Sequence, residues 1–226
     1  MPLDTAKRAI VADAYRRTKG PVAYLDESYQ TANPVVKPAA TFYIFTAVIV
    51  VFDQMEELRD GLAKIAEGSW WHTTEALLED EGRRRTRDML EFLAEGPEVS
   101  VIASRVPIEP NDHDGEDARR ACYRGLASAL TAGCTGAWDP VDLLVLEERN
   151  QRNFQNKDRQ NHRELISEKR IPQSTRLLQT SPGVERLLWL PDLVSSAYRR
   201  KLTHRDETRR LFEIIAERVH MVESAG

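Results

Sequence analysis

Tyr24-Leu25-Asp26-Glu27-Ser28 closes a short apolar run that begins at Pro21. Side chains of a strand alternate with period two, so Val22, Tyr24 and Asp26 share one face and Ala23, Leu25 and Glu27 the other. A strand ending in two acids sets carboxylates at the rim of a sheet, on a rigid support. A metal-dependent hydrolase needs them there; solvation of a strand end is the simpler use of the same residues.

Working outward, Thr41 to Phe52 is nearly all apolar and reads as a strand buried on both faces. Asp53 and Glu56 form a capping box for a helix carrying Met55, Leu58, Leu62 and Ile65, with Gly68 as its stop. Arg83 to Ala94 reads as a helix, Val99 to Val106 as a strand, and Glu116 to Thr131 as a helix with Ala118, Cys122, Leu126 and Ala129 inward. Val141 to Leu146 is a second strand that ends in two acids, Glu147 and Glu148. Arg176 to Thr180 is a last strand, followed by a helix with Leu187, Leu188, Leu190, Asp192, Val194 and Tyr198. Asp206 to Val222 reads as an amphipathic helix, packed on the domain or on a second copy in a homodimer.

The chain has 226 residues, a net charge of -4 and two cysteines, Cys122 and Cys134, read as reduced thiols. These bounds suit a single domain over 1–226, with its core at about 21–204 and the amphipathic helix at about 206–222. Met1 to Gly20 has no apolar signal-peptide core, and Phe42 to Phe52 is shorter than the roughly 17 residues a membrane span needs. A cytoplasmic protein without membrane contact is expected.

Asp192 is the one carboxylate on an otherwise apolar helix face, a placement that asks for a partner or a cation. Hard divalent cations take such oxygen ligands, and two of them can serve a phosphodiester displacement. Arg149 to Arg170 holds seven basic residues against three acidic ones. It is either a solvated helix face or a phosphate-binding arm through Arg149, Arg152, Lys157 and Arg159. His72 and Glu75 could face one site if their stretch is helical, with packing beside Trp70 and Trp71 as the alternative. Asn111-Asp112-His113-Asp114, between Pro110 and Gly115, reads as a solvated turn.

Ala23-Tyr24-Leu25-Asp26-Glu27-Ser28 and the strand after it resemble the opening of the domain-of-unknown-function family 3800. Trp71-His72-Thr73-Thr74, Leu146-Glu147-Glu148-Arg149 and Leu188-Trp189-Leu190-Pro191-Asp192-Leu193-Val194 resemble its later segments, in the family's order. Two positions depart from the pattern: Glu147 stands where Asp is expected, and Pro191 where a small residue is expected. Pro191 either kinks the helix or starts a new one.

The resemblance implies an α/β fold, a ribonuclease H-like mixed sheet with helices on both faces. It implies Mg²⁺ or Mn²⁺ held by Asp26, Glu147 and Asp192, with Glu27 and His72 as further catalytic candidates. The expected activity is divalent-metal-dependent hydrolysis of nucleic-acid phosphodiesters. The alternative is a non-catalytic nucleic-acid or protein-binding module with a degenerate site.

Overall fold

The computed structural model describes residues 3–33 and 35–225. Its helices are α1 (Leu3–Arg16), α2 (Met55–Ala66), α3 (Thr73–Ala76), α4 (Asp80–Glu95), α5 (Glu116–Ala132), α6 (Arg152–Ser167) and α7 (Trp189–Thr203). Its strands are β1 (Val22–Gln30), β2 (Phe42–Val50), β3 (Val99–Arg105), β4 (Leu143–Glu147), β5 (Arg176–Thr180) and β6 (Val219–Val222). They form one sheet in the order β5-β4-β1-β2-β3-β6. β2 runs antiparallel to β1 and β3, while β4 is parallel to β1, β5 to β4 and β6 to β3. The fold is α/β with a mixed sheet and helices on both faces, as expected.

Period-two patterning builds both cores. Every residue of β2 is buried. Phe42, Ile44, Val48 and Val50 enter the core beneath α2, α4 and α7, and Tyr43, Phe45, Ala47 and Ile49 enter the one beneath α5 and α6. Each fully buried side chain of this size stabilises the fold by about 1.5–3 kcal/mol, so neither face of β2 can be exchanged for solvent cheaply. The helices supply the matching stripes: Met55, Leu58, Leu62 and Ala66 of α2 recur at helical spacing and are buried. No helix among the described residues is long and apolar enough to cross a membrane.

The structure corrects several expectations. Residues 206–222 are not one α-helix: two 3₁₀ segments, Glu207–Ile214 and Ala216–Arg218, lead into β6. Leu211, Phe212 and Ile215 are buried in the core beneath α7, and Val219–Val222 covers the outer edge of β3. An unpaired edge and an uncovered apolar patch are satisfied together, which a free helix would not achieve. The sheet therefore extends past the 21–204 core, and the apolar face that suggested a second copy is covered by the chain itself.

The Asp53–Glu56 capping box does not form, because α2 follows a 3₁₀ turn and Gln54 stands before it without a side-chain cap. Glu67, not Gly68, ends α2 in the left-handed region, at φ 52°. On α5, Ala129 is only half-buried and Leu130 fills the core in its place. Gly125 is needed for a close approach: a Cβ there would stand 2.0 Å from the Glu223 carbonyl oxygen of the C-terminal segment crossing α5.

Candidate active site at the split between β1 and β4

β1 does not end at its acids. It continues to Gln30 against β2, while its pairing with β4 stops at Leu25 and Leu146. The sheet opens on that side, and Asp26 and Glu147 occupy the next position on their two strands. Both lie on the α7 face, Asp26 following Val22 and Tyr24, Glu147 following Leu143 and Val145. Their carboxyls are within hydrogen-bonding reach of each other.

α7 crosses this face and brings Asp192. Pro191 lies in the first turn of α7, after a 3₁₀ segment at Arg186–Leu188. First-turn N–H groups have no intrahelical acceptor, so the missing proline N–H costs little there. The helix starts at Trp189, two residues earlier than the new-helix alternative required. Asp192 is fixed by two donors: the Thr73 N–H to Oδ2 at 2.9 Å and the Ser196 hydroxyl to Oδ1 at 3.3 Å. Thr73 opens α3, and the indole of buried Trp71 donates to its hydroxyl at 3.0 Å. The loop before α3 is thereby tied to the carboxylate.

Asp26, Glu27, Glu147, Asp192 and exposed His72 line one cavity of about 260 Å³. Glu75 is exposed and does not line it. A neighbouring cavity of about 340 Å³ shares Asp26, Glu27, Tyr29 and Glu147 and adds Arg149, Gln151 and Phe154. A cavity of about 270 Å³ beside α5 holds Arg105, Arg120 and Arg124 with Glu109, Asp112 and Asp117, and none of the predicted site residues.

Burial, reinforced by the charges of Glu147, Asp192 and Glu27, pushes the Asp26 carboxyl well above the usual carboxylate range. Glu147 is pushed up to about 7, first by burial, then by Asp192 and Glu27, with the Asp26 hydrogen bond partly offsetting this. A pair so placed titrates as a unit and holds a proton near neutrality. No ion pair reaches Asp26, Glu147 or Asp192 among the described residues.

The other two acids are committed elsewhere. Glu27, on the opposite face of β1, is ion-paired to Arg119 of α5. Arg119 is 3% exposed. It also donates to Asp158 through Nε at 2.9 Å and Nη2 at 3.0 Å, and to the Tyr43 hydroxyl at 2.9 Å. Glu27 Oε2 has no hydrogen-bond partner among the described residues. Glu148 is ion-paired to Lys7.

Of the predicted basic arm only Arg149 lines the cavities; it pairs with Glu116, and its guanidinium lies 4.1 Å from the centre of the Phe154 ring. Arg152, Lys157 and Arg159 are exposed on α6, with Lys157 3.3 Å from Glu116. Asp112 is no solvated turn residue: it is buried and caps α5, accepting from Asp117 N–H at 3.3 Å and Ala118 N–H at 2.8 Å.

No family model and no curated protein matches this chain.

The donor chemistry of Asp26, Glu147 and Asp192 fits a hard divalent cation, since all three offer carboxylate oxygens and none is held in an ion pair among the described residues, although the charge of Arg199 acts on Asp192. Among the described residues, however, no three His, Cys, Asp or Glu side chains already form a closed cation-holding group. Asp26 and Glu147 are within hydrogen-bonding reach, and the charge of Asp192 acts on both.

Arg119 escaped the reading of the sequence. Arg119 is spaced at 119, 122, 123 and 126 with the buried residues of α5, so a cation on an inward helical stripe was the available signal. Arg199 lines the cavity of Asp26 and lies two turns beyond Asp192 on α7.

Proposed function

We propose that this protein is a divalent-cation-dependent phosphodiesterase acting on nucleic acid, with Asp26, Glu147 and Asp192 holding Mg²⁺ or Mn²⁺. One observation carries the reading: two half-buried carboxyls from adjacent parallel strands, within hydrogen-bonding reach and without an ion pair among the described residues, line a cavity that bears a third. Such crowding costs stability unless function requires it. At an effective dielectric near 20, two carboxylates about 4 Å apart repel by about 4 kcal/mol.

Divalent cations, when bound, supply Lewis-acid polarisation of a phosphoryl oxygen and acidify water. The chain's own residues do the rest. Asp26 and Glu147 release their shared proton and become oxygen donors. The Thr73 N–H and the Ser196 hydroxyl hold Asp192 in one orientation. Arg149 and Arg199 flank the acids and offset the charge of an arriving phosphate. The order of four short motifs that resemble those of the domain-of-unknown-function family 3800 supports the same assignment.

A second reading, a binding module without hydrolysis, is favoured by the lack, among the described residues, of three acids already grouped to hold a cation. Calorimetric titration of Mn²⁺ into the wild type and Asp26→Asn, with hydrolysis of labelled oligonucleotides followed in parallel, separates the two. Cation binding lost in the variant, together with metal-dependent cleavage by the wild type, is expected. Equal or absent cation binding in both proteins would sink the carboxylate assignment.

A further inference from the structure

Three aromatic side chains among the described residues are largely exposed: Tyr29 at 53%, Phe52 at 55% and Trp70 at 59%. Two of them, Tyr29 and Trp70, line the cavity that contains Asp26, Glu147 and Asp192. Exposed aromatic area loses free energy to water, and finding it at the mouth of a polar, acid-lined cavity calls for a ligand with flat apolar faces.

The Tyr29 ring is held by a stacked neighbour, and the backbone beside Trp70 is fastened. Tyr29 is the cross-strand partner of Tyr43, and their rings stack at 5.3 Å between centres with planes 8° apart. Trp70 sits in the loop fastened by the Trp71 indole to Thr73 and by the Thr73 N–H to Asp192. Arg199 lines the same cavity, donates to the Thr74 hydroxyl at 3.0 Å, and keeps a buried Nε without a partner among the described residues. The cavity thus offers stacking faces at its mouth and a guanidinium deeper in, beside the acids.

We propose that the cavity takes single-stranded nucleic acid, its unpaired bases stacking on Trp70 and on the Tyr29–Tyr43 pair while Arg199 engages the backbone. The proposal rests on the phosphodiesterase reading and narrows its substrate class. In a duplex both faces of each base are covered by neighbouring pairs, so only an unpaired or terminal base can lie on an aromatic ring. Stacking of this kind is tolerant of sequence because every base has a π face. It also accounts for the exposed bases of Arg152, Lys157 and Arg159 standing outside the cavity, where they can meet only the more distant backbone.

The test is fluorescence-anisotropy binding of a labelled twelve-nucleotide oligothymidylate, and of a DNA duplex closed by loops at both ends, in Ca²⁺ buffer at neutral pH. The expected result is tighter binding of the single strand than of the closed duplex. Trp70→Ala and Tyr29→Ala should each weaken single-strand binding by about 10-fold, the loss of one base–aromatic stack, with the melting temperature unchanged in Trp70→Ala and lowered only slightly in Tyr29→Ala, which also loses its stack on Tyr43. Tyr29→Phe, which keeps the ring, should bind like the wild type.

Single-strand binding unaltered in Trp70→Ala and Tyr29→Ala would overturn the proposal, as would equal affinity for the closed duplex or no binding of either nucleic acid by the wild type. The phosphodiesterase reading fails separately. Trp70-dependent binding without any cleavage in Mn²⁺ would leave the single-strand site standing and remove the hydrolase. Cleavage by a protein indifferent to both aromatic variants would do the reverse.

Discussion

Asp26 and Glu27 are neighbours in sequence, and the pleat of β1 sends them to opposite faces of the sheet. On one face Glu27 meets Arg119, itself shared with Asp158 and Tyr43. On the other, Asp26 meets Glu147 and the field of Asp192, and no ion pair reaches it among the described residues. Both surroundings are largely closed to water, so burial alone does not separate them; the sign of the neighbours does. One acid is committed to joining β1 to α5 and α6. Its neighbour is left at a cost to stability, the mark of a group kept for binding.

The sharpest break of this comparison is in activity. Asp26→Asn should lower metal-dependent hydrolysis by at least roughly 10³-fold, the scale expected when charge stabilisation at the reacting phosphate is removed. Glu27→Gln should stay within about 10-fold of the wild type. Steady-state cleavage of an oligonucleotide would decide it, and equal losses in the two variants would erase the distinction between the faces.

Stability should move in opposite directions. Arg119→Ala strands Glu27 and Asp158 as buried charges and should destabilise the protein by about 3–5 kcal/mol in urea unfolding. Asp26→Asn should raise the metal-free midpoint instead at pH above about 7, because it removes the repulsion that arises once the pair loses its proton, while the asparagine amide can still donate to Glu147. A lowered midpoint for Asp26→Asn would reveal a structural partner for Asp26.

The pH dependence gives a smaller effect of defined sign. The folded-state pKa of Glu147 lies above its ordinary value, so folding favours its protonated form; stability is greatest below the unfolded pKa and falls as pH rises towards about 7. From about 4.5 to 7 the Glu147 contribution is on the order of 3 kcal/mol. Metal-free wild type should therefore lose melting temperature between about pH 5 and 8. Mn²⁺ should restore it, by about 2.7 kcal/mol at a hundredfold excess over Kd. A flat profile without metal would mean that the pair is neutralised by something else.

Much of the fold was legible because its strands are short-range patterns. The alternation at Val22 to Glu27 placed Asp26 and Glu27 on their correct faces. The apolar run after Thr41 identified the central strand, and Arg176 to Thr180 matches β5 residue for residue. The acid at the end of β4 and the lone carboxylate of α7 stood out against apolar surroundings for the same reason.

What could not be read depends on long-range partners. A spacing of 211, 214, 215 and 219 suits an amphipathic helix, and only the uncovered edge of β3 and the surface beneath α7 make it a 3₁₀ segment and a strand. The continuation of β1 beyond its acids depends on β2 remaining paired after β4 has stopped. Arg119 takes its role from Glu27 and Asp158, which converge on it from distant parts of the chain.

α5 is held from both sides, and this matters mechanically. Its inner stripe rests on the sheet, while the C-terminal segment lies over Gly125 and is fastened where the Ala225 N–H donates to the Ala121 carbonyl at 3.0 Å. A helix pressed on one side only can slide or roll along the groove beneath it. With the tail seated in the notch left by Gly125, α5 is latched against such travel, and Arg119 keeps its alignment with Glu27. A residue that lacks a side chain thereby acts as the detent for the charge on the far side of the same helix.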